Sequence, residues 1–214
     1  MHIRYITEVI LLAVGSQAVL EISYEVLQTA PTAAAVLQAA TGQGIFMIDS
    51  LPSSFNGAYA VLSESLPHCR GGRQEVLPDG TIRTTLAQRS ENASATFLRK
   101  HGCPMATVEA RRDVRSTLNR IGRSVAGILD EVLEVEYPID RASSIKDIIE
   151  LGRDSHLDHH HIYRASQRDD SETDMNSALS LHVDQGLFLL LVLPPGDTNF
   201  HYLDSVTSEE VLSG

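Results

Sequence analysis

The chain has 214 residues, 43% of them apolar, enough for one domain with a buried core and too apolar for a disordered composition. A net charge of −11 argues against nucleic acid and anionic membrane surfaces as partners. Trp is absent and aromatics are 5%, which disfavours a base-stacking platform, and no apolar run reaches the length of a membrane-spanning helix.

Residues 1–18 admit two readings. Arg4, the apolar run Val9 to Val14 and the small residues Ser16 and Ala18 fit a cleaved secretory signal. Glu8 interrupts that pattern, and the alternative is an amphipathic first helix or strand. The compartment therefore stays open between the secretory pathway and the cytoplasm. Asn92-Ala-Ser94 is a glycosylation sequon that matters only for a secreted chain. Cys69 and Cys103 would pair in a secreted chain and stay free thiols in a cytosolic one.

From residue 19 to 154 the pattern is mostly helical with short strands. Val19 to Leu27 alternates weakly and reads as a strand. Pro31 suits the first turn of a helix, Ala33 to Ala40 are strong helix formers, and Gly42 or Gly44 ends the run. Ile45 to Ile48 is a continuous apolar run, best read as a buried strand. Pro52 opens a helix with Phe55, Tyr59, Leu62 and Leu66 three or four apart. Pro67 to Ser94 is dominated by turn chemistry, with one short strand around Thr81 to Leu86. Thr107 to Leu133 keeps an apolar stripe through Val108, Val114, Leu118, Ile121, Val125 and Ile128, and the arginines Arg111, Arg112, Arg115 and Arg120 are expected on the wet face. Ser144-Ile-Lys-Asp147 predicts a capped helix ending near Gly152.

Beyond Asp154 the period becomes strand-like. His156 to Arg164, Leu179 to Asp184, Leu187 to Leu193 and Phe200 to Leu203 read as strands, while Ser205 to Gly214 reads as a polar tail or the start of a helix. Helices first and antiparallel strands afterwards predict an α+β fold: N-terminal helices with short strands over 19–154, then an incomplete jelly-roll sheet over 155–214, one structural domain in all.

The chemistry concentrates at His182 and Asp184. Residues i and i+2 of an extended strand point to the same side of a sheet, so imidazole and carboxylate converge on one small volume. One nitrogen and one oxygen ligand are two-thirds of a facial triad for ferrous iron. The bland alternative is a polar pair at a strand end, with Asp184-Gln185-Gly186 making a turn. In His159-His160-His161, alternation puts at most His159 and His161 on one side, and packing or surface imidazoles is the favoured reading.

His182-Val-Asp184-Gln-Gly186-Leu-Phe-Leu-Leu-Leu191 resembles the metal-binding strand pair of the Fe(II)- and 2-oxoglutarate-dependent oxygenases, most closely the isopenicillin N synthase-like branch. Leu157-Asp-His-His-His-Ile-Tyr163 looks like the strand preceding it, and Ala34 to Ile48 is similar to the helix and strand that open that fold. The resemblance implies a double-stranded β-helix, Fe(II) held by His182 and Asp184, 2-oxoglutarate as co-substrate, and oxidation of a small organic substrate. It also implies a distal His on a later strand and a basic residue that anchors the co-substrate. The only His downstream is His201, too early for that motif, and no Arg or Lys follows Arg168. Two readings follow: a C-terminally truncated oxygenase, or a catalytically inactive remnant acting at most as a binding module.

Overall fold

The computed structural model describes residues 9–11, 20–27, 36, 45–77, 80–89, 101–136, 144–151, 156–164, 189–192, 200–203 and 210–213. The chain divides into two compact units, one comprising 1–57, 113–151 and 183–214, the other 58–112 and 152–182. The fold class is α+β, as the change of period along the chain predicts. Among the described residues the strands form separate sheets of four, three and two strands.

The first unit is built on strands β1 (Val9–Leu11), β2 (Leu20–Ser23), β3 (Phe46–Asp49) and β7 (Leu190–Val192), in the order β2-β3-β1-β7. β3 pairs parallel with β2 and antiparallel with β1, and β1 pairs antiparallel with β7. A strand flanked on both edges and covered on both faces has no wet side, which is why Ile45 to Ile48 is an unbroken apolar run. Val9–Leu11 forms a strand, its three residues opposite Phe46 to Ile48 on one side and Leu190 to Val192 on the other. Val19 to Leu27 is only half strand, since β2 ends at Ser23 and a single helical turn, α1 (Tyr24–Leu27), follows. The Ser23 hydroxyl accepts a hydrogen bond from the Val26 amide at 3.2 Å and so caps that turn. Of the expected helix over residues 33–40 only Val36 is described, helical and fully buried.

After β3, Ser50 takes a left-handed backbone at φ 52° and redirects the chain. Pro52 follows, its carbonyl accepting the amides of Phe55 and Asn56 at 2.8 and 3.1 Å as helix α2 (Ser53–Ser65) begins. Phe55 and Leu62 are buried on its inner stripe. The longest helix, α3 (Met105–Glu136), begins two residues before the expected Thr107. In the first unit its residues Val114, Ile121, Val125 and Ala126 are buried, the three-and-four spacing of an amphipathic helix. Helix α4 (Ile145–Leu151) starts with the capping box expected from Ser144 and Asp147. Ser144 Oγ accepts from the Asp147 amide at 2.9 Å, and Asp147 Oδ2 accepts from the Ser144 amide at 3.3 Å. Asp130 of α3 adds a carboxylate that takes the Ile145 and Lys146 amides at 2.7 and 2.9 Å. The C-terminal segment differs from its expected tail or helix: β8 (Phe200–Leu203) pairs antiparallel with β9 (Glu210–Ser213).

The second unit is a three-stranded antiparallel sheet, β4 (Arg73–Val76), β5 (Ile82–Arg89) and β6 (Leu157–Arg164), in that order. Pro67 to Ser94 therefore holds two strands where one was expected. β4 is the strand the pattern hides: every residue of it is exposed, so no hydrophobic alternation marks it. The chain reaches β4 through Gly71, at φ 76°, and Gly72, where a Cβ would lie 2.8 Å from Thr84 Cγ2 and 2.9 Å from the Thr85 carbonyl oxygen. Only glycine lets the backbone come that close to β5. Cys69 and Cys103 are joined in a disulfide, their Cα atoms 4.4 Å apart, and the adjacent Arg70 amide donates to the His101 carbonyl at 2.6 Å. Of the two sequence-level alternatives for these cysteines, the paired one holds.

Among the described residues the order along the chain is the expected one, helices and short strands up to Leu151 and only strands beyond it, but the strands of the two stretches are not kept in separate sheets. N-terminal strands share a sheet with β7, and β4 and β5 share one with β6. Hydrogen bonding across a sheet is indifferent to separation along the chain, so local periodicity cannot assign strands to sheets.

Candidate functional site

His182 and Asp184 lie outside the described residues, as do Gln185, Gly186 and the expected strand over 179–184. The strand that follows them is present as β7, three residues of the longer run expected over Leu187 to Leu193. Its side chains are half-buried, and Leu190 Cδ1 lies 3.9 Å from where a Cβ on Gly122 of α3 would stand. His201 falls in β8. Among the described residues no group of three or more His, Cys, Asp or Glu is placed to hold a metal ion.

The histidine run is fully described and alternates as a strand requires. His159 and His161 are exposed on one face of β6, their ring centroids 5.8 Å apart and edge to face. His161 Nδ1 lies 3.1 Å from the Thr85 hydroxyl across the strand pair. His160 points to the other face, opposite Leu86, which is buried. Its Nε2 is shut off from solvent and has no hydrogen-bond partner among the described residues. Burial is the main cause that holds its pKa down at about 4, with the nearby Arg111 guanidinium adding to the effect and Asp158 opposing it. His160 is therefore a neutral imidazole at pH 7.

Beside it is a charge pair that sequence reading misplaced. Arg111, expected on the wet face of α3, is 3% exposed and forms a salt bridge with Asp158 of β6. The signal was available, because Thr107, Arg111, Val114, Ile121 and Val125 keep one helical stripe and Arg111 occupies a core position of it. Asp158 is two residues before His160, hence on the same inner face of the strand. A buried cation needs a paired anion, and the Asp in Leu157-Asp-His-His-His161 supplies it. Arg112 and Arg120 are exposed as expected, Arg120 also donating to the Tyr24 hydroxyl at 3.1 Å.

Comparison with known proteins adds no relative: no family model matches the chain, and no match is found among curated proteins or solved structures.

Proposed function

We propose that the chain carries the metal-binding strand of a non-haem Fe(II)- and 2-oxoglutarate-dependent oxygenase, with His182 and Asp184 as two of three iron ligands. The observation that carries this reading is the coupling of His182-x-Asp184-x-Gly186 to a leucine-rich strand, of which β7 is the described part. The donor set fits the ion: neutral imidazole nitrogen and carboxylate oxygen suit ferrous iron and leave coordination positions open. Bound there, iron would supply oxygen activation for oxidising a small organic substrate, with 2-oxoglutarate as co-substrate. In this reading the chain's own part is to present both donors side by side from one strand, and the strand expected after them is the one whose described part, β7, pairs with β1. A double-stranded β-helix sheet belongs to the same reading, and the antiparallel pairing of β7 with β1 is compatible with it. No transmembrane-capable helix is found among the described residues.

A second reading, a non-catalytic binding module, is favoured by one specific feature. Within these residues no His occupies the distal ligand position and no Arg or Lys follows Arg168. Anaerobic titration of the purified chain with Fe(II) tests both. Weak iron uptake that His182→Ala and Asp184→Ala each abolish supports the metal strand. Uptake indifferent to both substitutions would refute it. Succinate release from 2-oxoglutarate that depends on His182 would instead remove the non-catalytic reading.

A further inference from the structure

The first turns of α3 meet the inner face of the three-stranded sheet through charge as well as apolar packing. Arg111, buried, is bound to Asp158, and His160 follows Asp158 on the same face of β6. His160 Nε2 is shut off from solvent with no hydrogen-bond partner among the described residues, and Leu86 lies opposite. The neighbouring elements bring no second anion to the ring among the described residues. β5 turns Thr84, Leu86 and Gln88 to this face, none of them ionisable. His159 and His161 stand on the opposite face of β6, and His156 precedes the strand. The exposed His68 ends the short turn Leu66–His68, whose Pro67 carbonyl accepts from Arg164 at the far end of β6. A proton on His160 therefore sets a second cation near Arg111 with one carboxylate for both, in a place that water reaches poorly.

Burial holds the ring's pKa down at about 4, with Arg111 and the two outer imidazoles adding to the effect and Asp158 opposing it. In the unfolded chain a solvated imidazole takes its proton at about 6.5. The folded value is the lower of the two, so this group's contribution to stability is complete above about pH 6.5 and is lost as pH falls from there toward 4.

We infer that His160 is an acid-sensitive latch, whose protonation releases the first turns of α3 from the inner face of the β4-β5-β6 sheet. The latch is independent of the iron reading and uses none of its residues.

The test is urea unfolding of the full chain, disulfide intact, at about pH 7.5 and about pH 5, where exposed carboxylates are still largely ionised. Between these two conditions His160 should raise the unfolding equilibrium constant by about thirtyfold. His160→Leu should lose that part of the acid response, while His68→Gln and His159→Gln should keep it. Hydrogen exchange of the wild-type chain, corrected for intrinsic rates, should show faster exchange at the lower pH in Thr107–Arg111 and Leu157–Arg164. An NMR titration of the wild-type histidine rings checks the same point without a variant. An acid response as large in His160→Leu as in wild type would overturn the inference. So would its loss in His159→Gln, a His160 ring that takes its proton near 6.5 in the folded chain, or acid-induced exchange confined to other segments.

Discussion

Arg111 shows how much one buried charge constrains its surroundings. A guanidinium at 3% exposure is tolerated because the Asp158 carboxylate meets it, and taking either partner away strands the other in a poorly solvated place. Arg111→Ala and Asp158→Ala are each expected to destabilise the protein by about 3–5 kcal/mol in urea unfolding. The paired change Arg111→Met with Asp158→Leu should recover most of that loss, since well-packed apolar groups replace a buried ion pair at little cost. His160 gives the complementary case. Its Nε2 is buried without a partner among the described residues, and the neutral ring lies opposite Leu86. His160→Leu removes an unsatisfied polar atom, so the midpoint of denaturant unfolding should stay level or rise. A large fall would mean that the nitrogen has a partner.

At the scale of elements, local chemistry and one covalent link hold the pieces in place. The disulfide joins residues 34 apart, spanning β4, β5 and the segment from there to Cys103. Closing a loop of that length stabilises by roughly 3–4 kcal/mol on the chain-entropy estimate. Reduction, or Cys69→Ser with Cys103→Ser, should therefore lower Tm by many degrees, read by calorimetry with and without reductant. The N-terminus of α4 is held from two sides, by Ser144 within its own capping box and by Asp130 of α3. Asp130→Ala should cost about 1 kcal/mol, the usual worth of a helix cap. Gly72→Ala should cost more, because the added methyl meets the Thr85 carbonyl oxygen on a paired strand that has little room to give way.

At the scale of the whole molecule, the iron reading makes a quantitative demand. Two ligands from one strand fix neither the geometry nor the full charge of a ferrous site, since the third protein ligand and the groups supporting it supply the rest. The 214-residue chain is expected to bind Fe(II) weakly in an anaerobic titration and to release no measurable succinate from 2-oxoglutarate. Stoichiometric tight iron, with succinate release lost in His182→Ala, would show that a third ligand comes from elsewhere in the chain.

What the sequence determined by itself is local. Apolar residues at Phe46 to Ile48 read as a strand covered on both faces, Ser144 with Asp147 read as the start of a helix, and the histidine run must alternate once it is extended. Each of these follows from the geometry of one segment. The spacing of His182 and Asp184 is legible too, but both lie outside the described residues. What tertiary structure decided is which segments meet. β4 carries no periodic signal because all its residues are exposed, and it exists because β5 offers it a hydrogen-bonding edge. Arg111 is buried because Asp158, 47 residues away, arrives with the opposite charge. Cys69 finds Cys103 because the chain brings Arg70 against His101. Backbone dihedrals and side-chain periods are set within a few residues, whereas pairing of strands, charges and thiols is set by distance in space, which no local pattern encodes.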